Sequence, residues 1–425
     1  MPDRTKIPDI KGINRLELPE PQQVVLSNGI PMYVLSMGKQ EVCKLELVFR
    51  AGRPFEHKQL VARATNALIK EGSQKYTGAA IAEEMDYYGC SLSTPFNIDV
   101  STITLYAVNK HLDKVLPLLT DLLSAPTFPQ RELDSFIKRN RQRLLVDLTK
   151  SDALAYRKIT ELIFGPRHPY GYNSFPDTYG RLTKDDLVGH HRRLHVSGNA
   201  MVFFSGKISN EMIKRVDEAV SSTVAWGERA EPFLPEITSE PEKVYLSQEN
   251  SLQTAVRLGR RMPNRDHPDY PGLYLLNMVL GGYFGSRLMN NIREKQGYTY
   301  NIYSLLDPMV FDGGFFIGTE VSNETVKDTL RQIHIELERL RSELIGEEEL
   351  EMVRNYTLGY LLTLMDGTFS IAELIKTLYV DGLSIDFVDR LSMVVKNISA
   401  KELRTLARQY FQPDSLWEVV VGPNV

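Results

Sequence analysis

Two stretches of this chain are built to one plan, and that internal repeat is the strongest constraint on how it can fold. LTKDDLVGHHRRLHVSGNAMVFFSG (residues 182–206) and ISAKELRTLARQYFQPDSLWEVVVG (residues 398–422) align without a gap. Each opens on a Ser/Thr suited to a helix N-cap, continues as an amphipathic helix, turns, and closes on an apolar strand. Leu187, Arg192 and Gly206 coincide with Leu403, Arg408 and Gly422. Identity is thin, so the pattern carries the repeat, and two like domains are expected.

Other elements recur in the same order. The alternating strand STITLYAV precedes a helix with Leu112, Val115, Leu116, Leu119, Leu122 and Leu123 on one face. GGFFIGTEV precedes one with Val326, Leu330, Ile333, Leu337 and Leu340. Two long helical stretches, ELDSFIKRNRQRLLVDLTKS and EEELEMVRNYTLGYLLTLM, take equivalent places. Between the copies, GERAEPFLPEITSEPEK (residues 227–243) alternates proline with acidic residues and has no apolar periodicity, which reads as a linker. The expected organisation is an N-terminal domain over 1–227, a linker over 228–243 and a C-terminal domain over 244–425. The predicted fold class is α+β: two homologous domains, each a mixed or antiparallel sheet covered by helices on one face, facing each other across a cleft.

Composition excludes several functions. At 425 residues there is length for two cores, and a net charge of −4 offers no overall attraction for nucleic acid. The most apolar stretch, LYLLNMVLGGYF, is much shorter than the roughly 20 residues a membrane span needs and contains Asn277, so it is expected to be a core helix. The first residues show no hydrophobic signal region and read as an extended arm, and Cys43 and Cys90 fit free thiols, so a cytoplasmic location is expected.

Chemistry concentrates in SRLMNNIREKQGYTYNIYSLL. A helix through Leu288, Ile292 and Arg293 is predicted to end at Gly297, followed by an alternating strand with Tyr298, Tyr300 and Ile302 on one face. Arg293 and Tyr300 can then converge, and a guanidinium with a phenol can donate to a peptide carbonyl and to the oxyanion it becomes. From spacing alone, a helix-capping Arg293 and a core-packed Tyr300 are the simpler account.

The chain resembles the pitrilysin or insulinase family of zinc peptidases over residues 26–422, in the two-domain form related to processing peptidases. LSNGIPMYV, FRAGRPFE, GPRHPYG, the turn from Gly281-Gly282 to Arg287-Leu288 and, most specifically, IREKQGYTYNIYS carry the resemblance. It implies that Arg293 and Tyr300 are substrate-side residues. It also implies a metal site, H-x-x-E-H on a helix with a later Glu as third ligand, in which two imidazoles one turn apart hold zinc and the Glu activates water. Here LVARATNALIKEGS puts Arg63, Asn66 and Ala67 in the three helical places and Asp147 in the place of the third ligand. No H-x-x-E-H or H-E-x-x-H occurs anywhere in the sequence.

His191 and His195, four apart with His190 beside them, are the other imidazoles placed to share a metal. Their counterparts in the second copy are Ala407 and Phe411, which reads as packing. His168 is expected to be structural. A nucleophile elbow and a phosphate-cradling loop are absent. The resemblance therefore implies no cofactor in this chain and a homologous, zinc-binding peptidase subunit as partner. This chain would supply Arg293 and Tyr300, and the pair would hydrolyse unfolded peptides bound as an extra strand at a sheet edge. No membrane or nucleic acid is expected as partner. A non-proteolytic peptide-holding scaffold is the alternative.

Overall fold

The computed structural model describes residues 15–423, so the expected N-terminal arm lies largely outside the described residues. The strands are β1 (Gln22–Val25), β2 (Pro31–Ser36), β3 (Val42–Phe49), β4 (Ser91–Ser93), β5 (Ser101–Val108), β6 (Ala200–Gly206), β7 (Lys243–Ser247), β8 (Thr254–Arg261), β9 (Ile302–Pro308), β10 (Gly313–Val321) and β11 (Trp417–Gly422). They form two sheets, in the orders β1-β2-β6-β3-β5-β4 and β7-β11-β8-β10-β9. Apart from the additional edge strand β1, the two are one topology. In each, the closing strand pairs parallel with the opening one (β6 with β2, β11 with β7) and antiparallel with the next (β3, β8).

The repeat extends to the helix caps. Helix Lys184–Leu194 is capped by Thr183, whose hydroxyl accepts from the Asp186 N–H while the Asp186 carboxylate accepts from the Thr183 N–H. Ser399 and Glu402 do the same for helix Ala400–Tyr410. Leu187 and Leu403 are both fully buried one turn on. Thr183→Ala and Ser399→Ala are each expected to cost about 1 kcal/mol in denaturant unfolding. A loss confined to one of them would contradict the equivalence.

Helices Leu112–Ser124 and Val326–Ser342 bury the predicted leucine and isoleucine faces against the sheets of their own halves. The opposite face of each sheet is covered by a helix from the other half. Helix Ser151–Phe164 lays Ala155, Ile159 and Ile163 on Ala255, Phe316, Trp417 and Val419 of the second sheet. Helix Thr368–Val380 in turn lays Ile371 and Ile375 beside Leu35 of the first sheet, and its Tyr379 ring stacks on Tyr33 with centroids 4.1 Å apart. Charge fixes this second contact. Lys44 Nζ lies 2.9 Å from Glu373 and Lys376 Nζ 2.8 Å from Glu46, with Lys44 and Glu46 nearly inaccessible to water on β3. Buried ions of that kind are tolerated only when paired, which selects one seating of the helix.

A cleft of about 310 Å³ remains between the halves, lined by Asp99 and Thr102 from the first and by Arg265, Asp307, Lys376 and Asp381 from the second. Residues 227–242 form neither helix nor strand. They are held to the first half by Phe233 N–H donating to the Pro54 carbonyl (2.7 Å) and Ser239 Oγ to that of Ile163 (3.2 Å). Cys43 and Cys90 are buried free thiols, and burial pushes the Cys43 thiol up to about 12. Among the described residues no single helix is long and apolar enough to cross a membrane.

Candidate functional site

Helix Val61–Leu68 carries three of the four positions that the resemblance assigns to a metal site. Its entry is set by the AGRPFE turn, where a Cβ on Gly52 would fall 2.3 Å from the Asp99 carbonyl carbon, so no larger residue fits. Leu60 then takes a left-handed φ of 72°, uncommon for a leucine. The Glu56 carboxylate offsets this strain by accepting from the Leu60 (3.3 Å) and Ala62 (3.2 Å) N–H groups, and it also accepts from the Tyr172 hydroxyl.

Asn66 faces inward. Its amide donates to the carbonyls of Thr94 (3.3 Å) and Pro95 (3.1 Å), and its Oδ1 accepts from Ser101 Oγ at 2.7 Å. Both ends of the side chain are therefore occupied by structure. Ala67 packs at the edge of the first core. Arg63 and Asp147 instead line a cavity of about 430 Å³ beside the helix. Arg63 donates to Asn140 Oδ1 (3.3 Å) and lies over the Phe96 ring, and Asp147 is paired with Lys150 at 2.9 Å. Zinc needs several converging lone pairs. These residues supply a fixed cation, a consumed amide, a methyl group and one outward carboxylate, and they do not fit it. Among the described residues no group of three His, Cys, Asp or Glu is placed to hold a metal ion.

The histidines serve packing. His190 Nε2 lies 3.0 Å from the Ala51 carbonyl oxygen, His195 Nε2 lies 3.1 Å from Ser101 Oγ, and the His191 and His195 rings stack at 4.7 Å. Burial lowers His190 and His191 to about 4 and holds His195 well below its ordinary value, so all three are neutral at pH 7. His168 is buried against Phe164, and its Nδ1 accepts from the Tyr170 N–H at 3.2 Å.

Burial acts in the opposite direction on the carboxyls, raising Glu56 to about 7 and Asp99 to about 6. Unfolded, both would release their protons near about pH 4. Between that point and about pH 7 the native state holds more protons, so these two groups make stability fall as pH rises through that window. Thermal melts from pH 5 to 7.5 are expected to show this slope, and Glu56→Gln with Asp99→Asn to flatten it. A slope unchanged in the double variant would contradict the assignment.

Arg293 lies on a π-helical segment, Met289–Lys295, locked by fully buried Ile292 and by Asn291 Nδ2 donating to Glu336 at 2.7 Å. The segment ends as predicted at Gly297, whose φ of +68° favours glycine. The strand, however, starts at Ile302 and not at Tyr298. The Tyr298 N–H turns back to the Ile292 carbonyl, and β9 pairs with β10 only from Ile302 opposite Thr319. Residues 298–301 are a loop, tied down where Thr299 Oγ1 donates to the Glu320 carbonyl at 2.7 Å.

The loop brings the two candidates together. The Arg293 guanidinium lies 5.5 Å from the Tyr300 ring centroid and 4.6 Å from that of Phe284. Tyr300 is 88% exposed, which excludes the core-packed alternative for it. Phe284, in the GGYFGS turn, is a third member that the sequence did not signal, because an aromatic in a glycine-rich turn has no distinctive spacing. Two π-helical turns, Met278–Gly282 and Met289–Lys295, flank this cluster, a backbone feature frequent at functional sites. Neither Arg293 nor Tyr300 lines the cavity beside Arg63 and Asp147.

Comparison with known proteins identifies the family and the fold. Residues 33–160 match the insulinase family, peptidase family M16, and residues 181–357 match the domain described as the peptidase M16 inactive domain. An uncharacterized zinc protease of Rickettsia bellii is 22% identical over 94% of this chain and 97% of its own. A non-peptidase homolog of Helicobacter pylori is 23% identical over 89% and 88%. The crystal structure of a peptidase M16 inactive domain from Pseudomonas fluorescens superposes with a TM-score of 0.88 at 22% identity, over 95% of this chain and 98% of that one. A protease from Helicobacter pylori superposes with a TM-score of 0.87 at 17% identity, over 96% and 100%. With the sequence matches naming the family and the superpositions sharing its doubled fold, this chain, which has no His, Cys, Asp or Glu group placed to hold a metal ion among its described residues, is a member of the insulinase family of peptidases.

Proposed function

We propose that this chain is the non-metal-binding subunit of a heterodimeric zinc peptidase. A homologous partner would carry the metal and its water, and this chain would present Arg293 and Tyr300 to the scissile carbonyl of an unfolded peptide. The observation that carries the reading is the exposed Tyr300 held against Arg293 and Phe284 in a chain with no group placed to hold a metal ion among its described residues. A guanidinium and a phenol at one point suit an oxyanion better than they suit a core. The relative named a non-peptidase homolog is consistent with loss of independent activity.

The test is co-purification from the source cell followed by assay. A zinc-bearing chain of similar size is expected to accompany this one, and Arg293→Ala or Tyr300→Phe to lower the turnover of the pair by about tenfold. Co-purification with unaltered turnover would favour the scaffold reading, and no co-purifying homologue would overturn the pairing.

A further inference from the structure

The cavity beside helix Val61–Leu68 has reversed its charge relative to a metal site. Arg53, Arg63, Arg143 and Arg157 line it, and Asp147 is the one acidic residue among its walls. Arg143 and Asp147 approach each other at 4.0 Å, but no carboxylate lies within ion-pair distance of Arg53, Arg63 or Arg157 among the described residues. Each of those three guanidiniums is held by a ring and by one neutral acceptor. Arg53 lies 3.9 Å from the Tyr172 ring centroid and donates to the Pro169 carbonyl (3.1 Å). Arg63 lies 5.3 Å from that of Phe96 and donates to Asn140. Arg157 lies 5.8 Å from that of Phe175 and donates to the Ser174 carbonyl (2.6 Å). Stacking fixes a guanidinium plane and leaves its remaining N–H edges for an anion. Burial holds Arg157 below its ordinary value, outweighing the opposing pull of Tyr179 and of the Glu161 carboxylate, which lies beyond ion-pair distance; the Arg53 charge adds a smaller push in the same direction as burial.

We infer that this cavity is a carboxylate-binding site that takes an acidic group of a peptide, either an Asp/Glu side chain or a C-terminal carboxylate. Several planar forks around one space match a planar carboxylate, and the intervening wall of Ile98, Leu144 and Tyr156 suits the adjoining apolar part of a peptide. No glycine lines the cavity, so it lacks the backbone cradle usual for phosphate. The site belongs to this chain alone and does not depend on the proposed pairing.

The test is fluorescence anisotropy on the isolated full chain with four probes carrying an uncharged fluorophore: amidated hexaglutamate, hexaglutamine with a free C-terminus, amidated hexaglutamine and amidated hexalysine. At least one of the first two is expected to bind, and which one does identifies the source of the carboxylate. The last two are expected not to bind. Arg63→Gln, alone and with Arg157→Gln, is expected to weaken binding by about tenfold or more, while the exposed control Arg390→Gln leaves it unchanged. Should loss of the half-buried Arg157 unfold the chain, the partly exposed Arg63 variant and the probe series on the unaltered chain decide the matter. Absence of binding by both carboxylate probes, equal binding of hexalysine, or indifference to Arg63→Gln would each overturn the assignment.

Discussion

Asn66→Glu, which restores the acidic residue type that the resemblance implies at this position, is expected to destabilise the protein by about 3–5 kcal/mol at pH 7.5 and to yield no peptidase. The amide of Asn66 faces two carbonyl oxygens at 3.1 and 3.3 Å, so a carboxylate there meets acceptors where donors are needed. Only Ser101 Oγ, at 2.7 Å from the present Oδ1, can donate to it, and the neighbouring His195 is neutral by burial. An uncompensated buried carboxylate is relieved by taking a proton. The loss is therefore expected to shrink as pH falls towards 5, because the folded variant then holds a proton that the unfolded chain has released. Chemical denaturation at both pH values checks this. A variant as stable as the parent at pH 7.5, or one that acquires bound zinc, would mean that the pocket still accepts a metal site.

The second large effect concerns the exchanged helices. Ile159 is fully buried, yet the surface it covers belongs to the other half. Ile159→Asp places a charge between helix Ser151–Phe164 and the second sheet, and the cost is expected to exceed about 4 kcal/mol. The sequence has two tryptophans. Trp417 is in this contact and Trp226 is 79% exposed, so intrinsic fluorescence reports mainly on the exchange core. Although the substitution is in the first half, the fluorescence transition is expected to shift to lower denaturant together with the far-ultraviolet circular dichroism. A Trp417 transition that stays in place would show that the halves hold together by other means.

The repeat was legible because its signals are local. Thr183 with Asp186 and Ser399 with Glu402 are cap pairs three residues apart, and GGFFIGTEV is β10 residue for residue. The helix ending at Gly297 was legible for the same reason, through the conformation that glycine favours. The exchange of helices was not. Ala155, Ile159 and Ile163 show that one face is buried, but an apolar stripe does not encode which of two like sheets receives it. The late start of β9 escaped because Tyr298, Tyr300 and Ile302 alternate as a strand would, while the backbone of Tyr298 closes the preceding helix. The arginine-lined cavity escaped because its members come from separate elements with no shared spacing, and only the fold brings Arg53, Arg63, Arg143 and Arg157 to one wall.

We propose that catalysis needs metal from another chain. This requirement is tested most directly by measuring zinc content and cleavage of an unfolded peptide for this chain purified alone and after mixing with its co-purifying homologue. The expected result is sub-stoichiometric zinc and no cleavage alone, with chelator-sensitive cleavage on mixing that declines when Arg293 or Tyr300 is replaced. One zinc per isolated chain, with cleavage that chelators abolish, would contradict it.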